Sequence, residues 1–249
     1  MTGPARPVPN LKLAILDMAG TTIAVTDAVP EALSEAFAEA DLTLPVSAID
    51  GMRGRSKKEA IRERVAALVH EPGHAAALAD AVLTRFHRSL LERYRAGVAP
   101  VPGAYETMRW LRAHGVAVVL TTGFEREIAD LLLAQLGWGD DVITATVTAD
   151  DVQRGRPHPD MILRAMHITD AADPDATLVA GDTSVDLQAA ANAGVRLAVG
   201  VLSGAHRREQ LAALPHAMLL ESVAELPDRL RALQNISPQR ANRKHGTGG

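Results

Sequence analysis

The segment LKLAILDMAGTT, residues 11–22, decides the fold of this chain. An apolar run over residues 13–16 ends abruptly at a carboxylate, Asp17, and Gly20 follows. A short apolar run bounded by a glycine turn predicts a buried strand. The central strands of a parallel sheet are apolar on both faces, and ligands bind beyond their carboxyl ends. Asp17 is therefore predicted to lie at the mouth of a sheet as a nucleophile or metal ligand, with a simple turn or helix-cap aspartate as the alternative.

Further apolar runs of the strand type alternate with helical segments in the second part of the chain. They cover residues 116–120, 142–147, 177–180 and 197–201, and a weaker run covers residues 218–220. Strands that alternate with helices indicate an open parallel sheet with helices on both faces. The sequence therefore predicts the α/β class, with a Rossmann-like doubly wound parallel sheet.

The segment between the first strand and residue 98 is different, because its pattern is helical with no clear strand. A crossover between parallel strands normally needs one helix, so the extra helices indicate an insertion. We expect a Rossmann-like core domain from residues 1–25 and 98–235, an inserted α-helical cap domain from residues 26–97, and a flexible tail at residues 236–249. Ser56 and Glu59 have the spacing of a capping box at the start of one cap helix.

The composition is that of an ordinary globular protein, with 47% hydrophobic residues, 22% charged residues and a formal net charge of −4. This charge and the lack of a basic stripe argue against a nucleic-acid partner. No apolar run approaches the roughly 20 residues that cross a bilayer, and no secretory signal core is present at the start. The absence of cysteine excludes disulfides, thiolate metal sites and a cysteine nucleophile. We therefore expect a cytoplasmic protein that acts without nucleic acid or membrane.

Polar side chains stand where several of the predicted strands end. Asp17, Thr121 and Asp182 each follow a strand, and Arg156 lies in a loop that should reach the same crevice. Two carboxylates, a hydroxyl and a cation can hold Mg²⁺ and neutralise a phosphoryl group. Asp17 is then the natural in-line nucleophile and would form an aspartyl-phosphate.

Four motifs, in this order, resemble those of the haloacid dehalogenase superfamily, and within it the phosphonatase branch of phosphonoacetaldehyde hydrolase and its relatives. They are DMAGTT at 17–22, LTTGFERE at 120–127, GRPHPD at 155–160 and GDTSVD at 181–186. The resemblance extends from about residue 11 to about residue 230. It implies a Mg²⁺-dependent hydrolase that acts on a small phosphorylated or phosphonate substrate.

The resemblance also implies a metal site. Asp17 matches the residue that is both nucleophile and metal ligand, and Asp182 matches a second ligand. Ala19 matches the position whose backbone carbonyl binds Mg²⁺. Asp186 matches the acid that supports this metal set.

A phosphoryl-binding set is implied in the same way. Thr121 matches the phosphoryl-binding hydroxyl, with Thr122 and Gly123 beside it. Arg156 stands where many members of the superfamily have lysine. The resemblance further implies that cap helices can pair between subunits of a homodimer, although their apolar stripes serve internal packing equally well.

Ala19 departs from the phosphomonoesterases of the superfamily, which usually carry an aspartate two residues after the nucleophile. That aspartate protonates the leaving alkoxide and then activates water, and alanine can do neither. One interpretation is a slow phosphatase. The other is a leaving group that needs no such acid.

A cap lysine provides that second route in the phosphonatase branch. The substrate aldehyde condenses with the lysine, and the protonated imine absorbs the electrons released when the P–C bond breaks. Lys57 resembles this lysine, Lys58 is a further candidate, and the alternative for either is a solvated surface lysine. A Schiff-base lysine needs a lowered pKa from burial or a nearby cation. Arg53 and Arg55 can supply that charge or bind an anionic substrate.

One departure from the branch lies three residues after Lys57, where its cap histidine is Ala60 here. Our preferred hypothesis is hydrolysis of the P–C bond of a phosphonoacetaldehyde-like substrate, with Asp17, Lys57, Thr121 and Arg156 as catalytic residues. The first alternative is a phosphomonoester phosphatase, similar to phosphoglycolate phosphatase, that uses the same site. A phosphotransferase or mutase and a non-catalytic phosphate-binding module are further alternatives.

Overall fold

The computed structural model of the protein describes residues 11–235. Residues 1–10 of the expected core domain and the expected tail at residues 236–249 lie outside the described residues. Within the described span, no helix combines the length and the apolar character that crossing a membrane requires.

A six-stranded parallel sheet forms the centre of the fold, in the order β3-β2-β1-β4-β5-β6. Its strands are β1 (Leu13–Asp17), β2 (Ala117–Thr121), β3 (Ala145–Val147), β4 (Thr177–Gly181), β5 (Leu197–Val201) and β6 (Met218–Leu220). The strand that carries Asp17 is thus central, and the order reverses direction on either side of it. This confirms the predicted α/β class and places Asp17 at the topological switch point, where such sheets bind ligands.

The third strand is shorter than the predicted run over residues 142–147. The backbone amides of Val142 and Ile143 both donate to the carbonyl of Gly139, at 3.0 and 2.9 Å. These two side chains are buried, which explains the apolar pattern, but their backbone forms a turn. Apolarity here reports burial and not a strand.

Helices cover both faces of the sheet. The described helices are α1 (Ala28–Ala38), α2 (Val46–Asp50), α3 (Lys57–Leu68), α4 (Pro72–Arg95), α5 (Ala104–Ala113), α6 (Arg126–Leu136), α7 (Asp160–Ile168), α8 (Ser184–Asn192), α9 (Arg208–Ala212) and α10 (Leu226–Asn235). Leu13 and Ile15 point to the face covered by α7 and α8, whereas Ala14 and Leu16 belong to the cluster that includes α5 and α6. This alternation along β1 is what a strand buried on both faces requires.

The first four helices, α1 to α4, lie between β1 and β2, and we call them the helical insertion. Helix α4 packs against α1 and α3 through fully buried side chains such as Phe86, Leu90 and Phe37. Pro72 and Gly73 begin α4, because proline fits the first turn of a helix. Helix α3 has already ended at Leu68.

Candidate active site

Three of the predicted site residues stand together at the carboxyl edge of the sheet. Asp17 ends β1 and lies opposite Thr121, the last residue of β2, in the parallel ladder. Asp182 comes directly after β4, the neighbour of β1 on the other side. The topology therefore brings both carboxylates and the hydroxyl to one crevice, as predicted from the strand ends.

Arg156 joins the carboxylates in a buried network that we call the carboxylate cluster: Asp17, Arg156, Asp182 and Asp186. The Nη1 of Arg156 donates to Oδ1 of Asp17 at 2.6 Å and also to Oδ1 of Asp186. All four residues are no more than 5% exposed. The other carboxylate oxygen of Asp186 accepts hydrogen bonds from the backbone and hydroxyl of Thr183 at the start of α8. Asp186 thus holds Arg156 while it caps a helix.

The carboxylate cluster has more negative charge than Arg156 can neutralise. Burial raises the pKa of Asp17 to about 7, the neighbouring charge of Arg156 opposes this shift, and Asp186 adds to it. Burial and the charge of Asp17 also raise the pKa of Asp182 well above its usual range. Two carboxylates close together in a water-poor site repel each other, so each disfavours ionisation of the other.

The surroundings of Asp182 fit a divalent cation. Its Oδ2 accepts a hydrogen bond from the backbone of Ala205 at 2.6 Å, whereas its buried Oδ1 has no partner among the described residues. Gly20 and Gly204 press so closely on this carboxylate that a Cβ at either position would overlap it. A fixed, buried and unbonded carboxylate oxygen beside a second carboxylate is the kind of donor set that Mg²⁺ satisfies.

This donor set is small. Between residues 11 and 235, no three or more histidine and acidic side chains gather as ligands of one ion. Two carboxylates and one backbone carbonyl, with water for the rest, match the few protein ligands that Mg²⁺ takes. Asp186 has its two oxygens committed to Arg156 and Thr183, which leaves Asp17 and Asp182 as the two carboxylates of this set.

Lys57 belongs to the helical insertion and lines one cavity together with Asp182. It stands at the end of a loop that we call the Lys57 loop, residues 52–57. Its Nζ donates to the carbonyls of Met52 and Arg55, at 3.0 and 2.9 Å, and lies 5.7 Å from the centre of the Phe124 ring. Lys57 is buried, whereas Lys58 is exposed. The interpretation of Lys57 as a solvated surface residue is therefore wrong.

The pKa of Lys57 is lowered to about 7, chiefly by burial and then by the charge of Arg156, while the charge of Asp17 acts in the opposite direction. Arg53 and Arg55 also lower it. Near neutral pH a substantial share of this amine is therefore unprotonated, unlike an ordinary lysine. An unprotonated amine is a nucleophile.

The cavity between the Lys57 loop and the carboxylate cluster is small, about 70 Å³. Its polar lining includes Arg53, Lys57, Asp182 and Thr183, and Ala19 also contributes. The other walls are mostly apolar: Ile23, Ala24, Val25, Val29, Tyr94, Phe124, Leu132 and Ala205. The site thus combines a few charged groups with a dry wall, the usual character of a small-molecule site.

The remaining predicted residues divide into those that reach the cavity and those that do not. Arg53 lines it, although its Nε also donates to Asp50 at 3.0 Å. The guanidinium of Arg55 turns away to Glu63, at 2.7 and 2.8 Å, and only its carbonyl serves the Lys57 loop. The hydroxyl of Thr122 accepts a hydrogen bond from the backbone of Phe124, which shapes the turn after β2.

Sequence reasoning missed two aromatic residues of the cavity wall. Tyr94 on α4 and Phe124 after β2 meet edge to face, with ring centres 6.0 Å apart. Phe124 could have been found, because it directly follows Gly123 in the second motif. Tyr94 gave no signal, because it continues an apolar helix face that packing alone explains.

Comparison with known proteins identifies the family. A model of the haloacid dehalogenase-like hydrolase family matches residues 11–194, more than half of the chain. The chain belongs to the haloacid dehalogenase-like hydrolases. The predicted superfamily and the hydrolase class are thereby confirmed.

This haloacid dehalogenase-like hydrolase has relatives of more than one kind. It is 29% identical over 236 residues to phosphonoacetaldehyde hydrolase of Bacteroides fragilis, a match that covers 90% of this chain and 89% of that protein. Over 112 residues it is 33% identical to pyrophosphatase PpaX of Bacillus cereus, covering 45% of this chain and 48% of that protein. The structure of a phosphonoacetaldehyde hydrolase-like protein from Oleispira antarctica superposes with a TM-score of 0.77 at 23% identity, covering 94% of this chain and 96% of that one. That likeness establishes the fold.

Proposed function

We propose that this hydrolase cleaves the P–C bond of a small phosphonate aldehyde, of the phosphonoacetaldehyde type, through an aspartyl-phosphate on Asp17. The observation that carries the proposal is Lys57, a buried lysine that shares a cavity with Asp182 and has a pKa lowered to about 7. The 29% identity to a phosphonoacetaldehyde hydrolase over nearly the whole chain supports the same substrate class.

The carboxylate cluster would bind and receive the phosphoryl group. Asp17, Asp182 and the carbonyl of Ala19 would hold Mg²⁺, which supplies positive charge to the phosphoryl oxygens when bound. Arg156 fixes Oδ1 of Asp17 at 2.6 Å, which leaves the other oxygen to attack phosphorus. The hydroxyl of Thr121 would donate to a phosphoryl oxygen.

Lys57 would carry the carbon half of the reaction. Its unprotonated amine adds to the aldehyde, and loss of water gives an imine that is protonated at nitrogen. As Asp17 takes the phosphoryl group, the electron pair of the P–C bond moves into the protonated imine and yields an enamine. The enamine gains a proton at carbon and is hydrolysed to free Lys57 and an aldehyde, and water releases phosphate from Asp17. No acid is needed at Ala19, because the leaving group is carbon and not an alkoxide.

The helical insertion would act as the cap over this chemistry. Its Lys57 loop touches the core: the amide of Lys57 donates to the carbonyl of Gly123 at 3.3 Å, and Gly54 packs on Thr183. These contacts support a closed state in which water is excluded from the cavity.

A borohydride experiment tests the proposal. With phosphonoacetaldehyde and Mg²⁺ present, borohydride should inactivate the enzyme by reducing the imine, and mass spectrometry should find the adduct on Lys57. The Lys57→Arg variant keeps the charge but cannot form the imine, so it should lose phosphate release and escape inactivation. Lys58→Arg is the matched control and should behave like the wild type. Normal turnover by Lys57→Arg would overturn the proposal.

A second candidate function is the cleavage of a P–O bond at the same site, favoured by the 33% identity to a pyrophosphatase over part of the chain. In that case the acid missing at Ala19 would have to come from the cap or from water. Turnover of p-nitrophenyl phosphate or pyrophosphate, without turnover of phosphonoacetaldehyde, would favour it. Mg²⁺ binding without turnover of any compound would instead indicate a phosphate-binding module.

A further inference from the structure

The Lys57 loop approaches the core more closely than side chains allow. A Cβ at Gly123 would overlap the carbonyl oxygen of Arg55, and a Cβ at Gly155 would lie 2.8 Å from the Cβ of Ser56. Only glycine permits backbone contact at these two positions. The insertion is therefore seated on two core loops, one after β2 and one that carries Arg156.

Glu59 makes a specific bond across this contact. In a capping box its carboxylate would accept a hydrogen bond from the amide of Ser56. The structure shows only half of that box, in which the hydroxyl of Ser56 accepts from the amide of Glu59 at 3.4 Å. The carboxylate of Glu59 instead accepts from the amide of Gly155 at 2.9 Å.

Gly155, which donates to Glu59, directly precedes Arg156, whose guanidinium pairs with two acids of the carboxylate cluster. Both ion pairs of Arg156, to Asp17 and to Asp186, use the same nitrogen, Nη1. Its Nε is buried and has no partner among the described residues. With side-chain contacts concentrated on one nitrogen, the placement of this guanidinium depends strongly on where its backbone is held.

We propose that Glu59 is a positioning residue that places Arg156 against Asp17 only when the helical insertion is seated on the core. The carboxylate of Glu59 accepts a hydrogen bond from the amide of Gly155 and so fixes the backbone next to Arg156. With this backbone fixed, Nη1 of Arg156 reaches Asp17. Phosphoryl transfer is thereby coupled to cap closure, because the nucleophile is fully oriented only in the state that excludes water. This inference rests on the proposed function for its catalytic consequence, but the hydrogen bond itself does not.

Glu59 could also stabilise α3 simply as an acidic residue in the first turn of a helix. The two roles respond differently to substitution. Glu59→Gln removes the negative charge but keeps an oxygen that can accept from Gly155, whereas Glu59→Ala removes both. A positioning role predicts that glutamine largely rescues what alanine loses, and a helix-charge role predicts that the two variants lose alike.

The first measurement is hydrogen exchange at the amide of Gly155 in the substrate-free full-length protein. Glu59→Ala should speed exchange at this amide about tenfold, and Glu59→Gln should stay within about threefold of the wild type. Asp80→Ala is the matched control, because the carboxylate of Asp80 pairs with Arg62 within the insertion and does not contact the core. This variant should leave exchange at Gly155 unchanged.

The second measurement is turnover of phosphonoacetaldehyde with Mg²⁺ by the same variants. Glu59→Ala should lower kcat about tenfold with less than a twofold change in KM, and Glu59→Gln should recover most of the loss. Unchanged exchange at Gly155 in Glu59→Ala, equal losses in both Glu59 variants, or faster exchange with an unchanged kcat would each overturn the proposal. Hydrogen exchange needs no substrate, so it tests the bond between Glu59 and Gly155 even if the wild type does not turn over phosphonoacetaldehyde. That lack of turnover would overturn the proposed function alone.

Discussion

The carboxylate cluster and the Lys57 loop face the same small cavity, yet their charges are unbalanced in opposite directions. In the cluster, burial raises the pKa of Asp17 to about 7 against the opposing charge of Arg156, and burial together with the charge of Asp17 raises the pKa of Asp182 well above its usual range. In the loop, burial lowers the pKa of Lys57 to about 7, and the charges of Arg156, Arg53 and Arg55 act in the same direction. Burial is the largest cause of the shift in both regions. The neighbouring charges differ: other carboxylates lie near Asp17 and Asp182, whereas cations lie near Lys57.

This difference in charge indicates which kind of ligand each region can bind. A cluster that is short of positive charge is suited to a divalent cation and the phosphoryl group that the cation binds. A loop that is rich in positive charge would keep its lysine unprotonated and would attract an anionic substrate, in line with the proposed function. The predictions below disturb one region at a time, in order of decreasing expected effect.

Removal of the nucleophile should have the largest effect. Asp17→Asn keeps the shape of the side chain, but its neutral amide is a poor nucleophile and cannot form the acyl phosphate, so kcat should fall by about a thousandfold or more. Phosphate release under saturating Mg²⁺ measures this. Asp140→Asn, an exposed acid, is the control. Wild-type turnover by Asp17→Asn would contradict the assignment of the cluster as the chemical centre.

Removal of the only cation in the carboxylate cluster should weaken the fold. Arg156→Met leaves the buried acids unpaired, and the loss of one partner of a buried ion pair costs about 3–5 kcal/mol. Urea unfolding at pH 7 measures the loss, which should become smaller at acidic pH because protonated carboxyls need no cation. Arg154→Met is the neighbouring control, since Arg154 pairs with Asp160 and its side chain is 59% exposed. Equal stabilities of the two variants would show that the cluster does not depend on Arg156.

The excess of positive charge around Lys57 can be tested with pH. Because the reactive amine must be unprotonated, kcat/KM for phosphonoacetaldehyde should rise as pH increases through about 7. Arg53 lowers the pKa of Lys57, so Arg53→Met should move this rise to higher pH. Arg62→Met, which removes a cation that pairs with Asp80 within the insertion, is the control and should leave the profile in place. A profile that does not move in Arg53→Met would contradict the electrostatic account of the loop.

Removal of an ionic contact between the insertion and the core should have the smallest effect on the free energy of unfolding. The two ring nitrogens of His87 on α4 face the carboxylates of Glu125 and Glu127, an arrangement that suits the protonated ring with two donors. Burial acts to lower the pKa of His87, but the hydrogen bonds to these two glutamates outweigh it, and the pKa is raised.

A raised histidine pKa stabilises the folded protein fully below the unfolded value of about 6.5, and this contribution is lost as pH rises through the folded value. His87→Gln should remove the pH-dependent part, which for ion pairs that solvent still reaches is about 1 kcal/mol or less. Urea midpoints between pH 6 and pH 9 measure it. The same pH dependence in wild type and variant would exclude His87 as its source.

Most of the sheet and its edge could be predicted because the information is local. Apolar runs that end at Asp17, Thr121 and Asp182 predict both the strands and the residues that project beyond them. Such runs fail only where burial and strand formation separate, as at Val142. From the sequence, Arg156 and Asp17 could be predicted to reach the same crevice, but not to form an ion pair.

The contacts between the insertion and the core could not be predicted, because they depend on which loops meet in space. Glu59 has the spacing of a local cap but bonds to Gly155, and Arg55 bonds to Glu63 and not to the cavity. Helix α2 spans only Val46–Asp50, too short for a helical period to stand out. These residues follow their three-dimensional neighbours and not their sequence pattern.

The volume of the cavity sets a limit on what the enzyme can process. At about 70 Å³ it is far smaller than the roughly 300–1,000 Å³ of sites that bury drug-sized ligands. In this arrangement it admits a fragment of only a few heavy atoms beside the phosphorus. A nucleotide or sugar phosphate would have to push the lining helices apart, so we expect the size of the substrate to limit its binding.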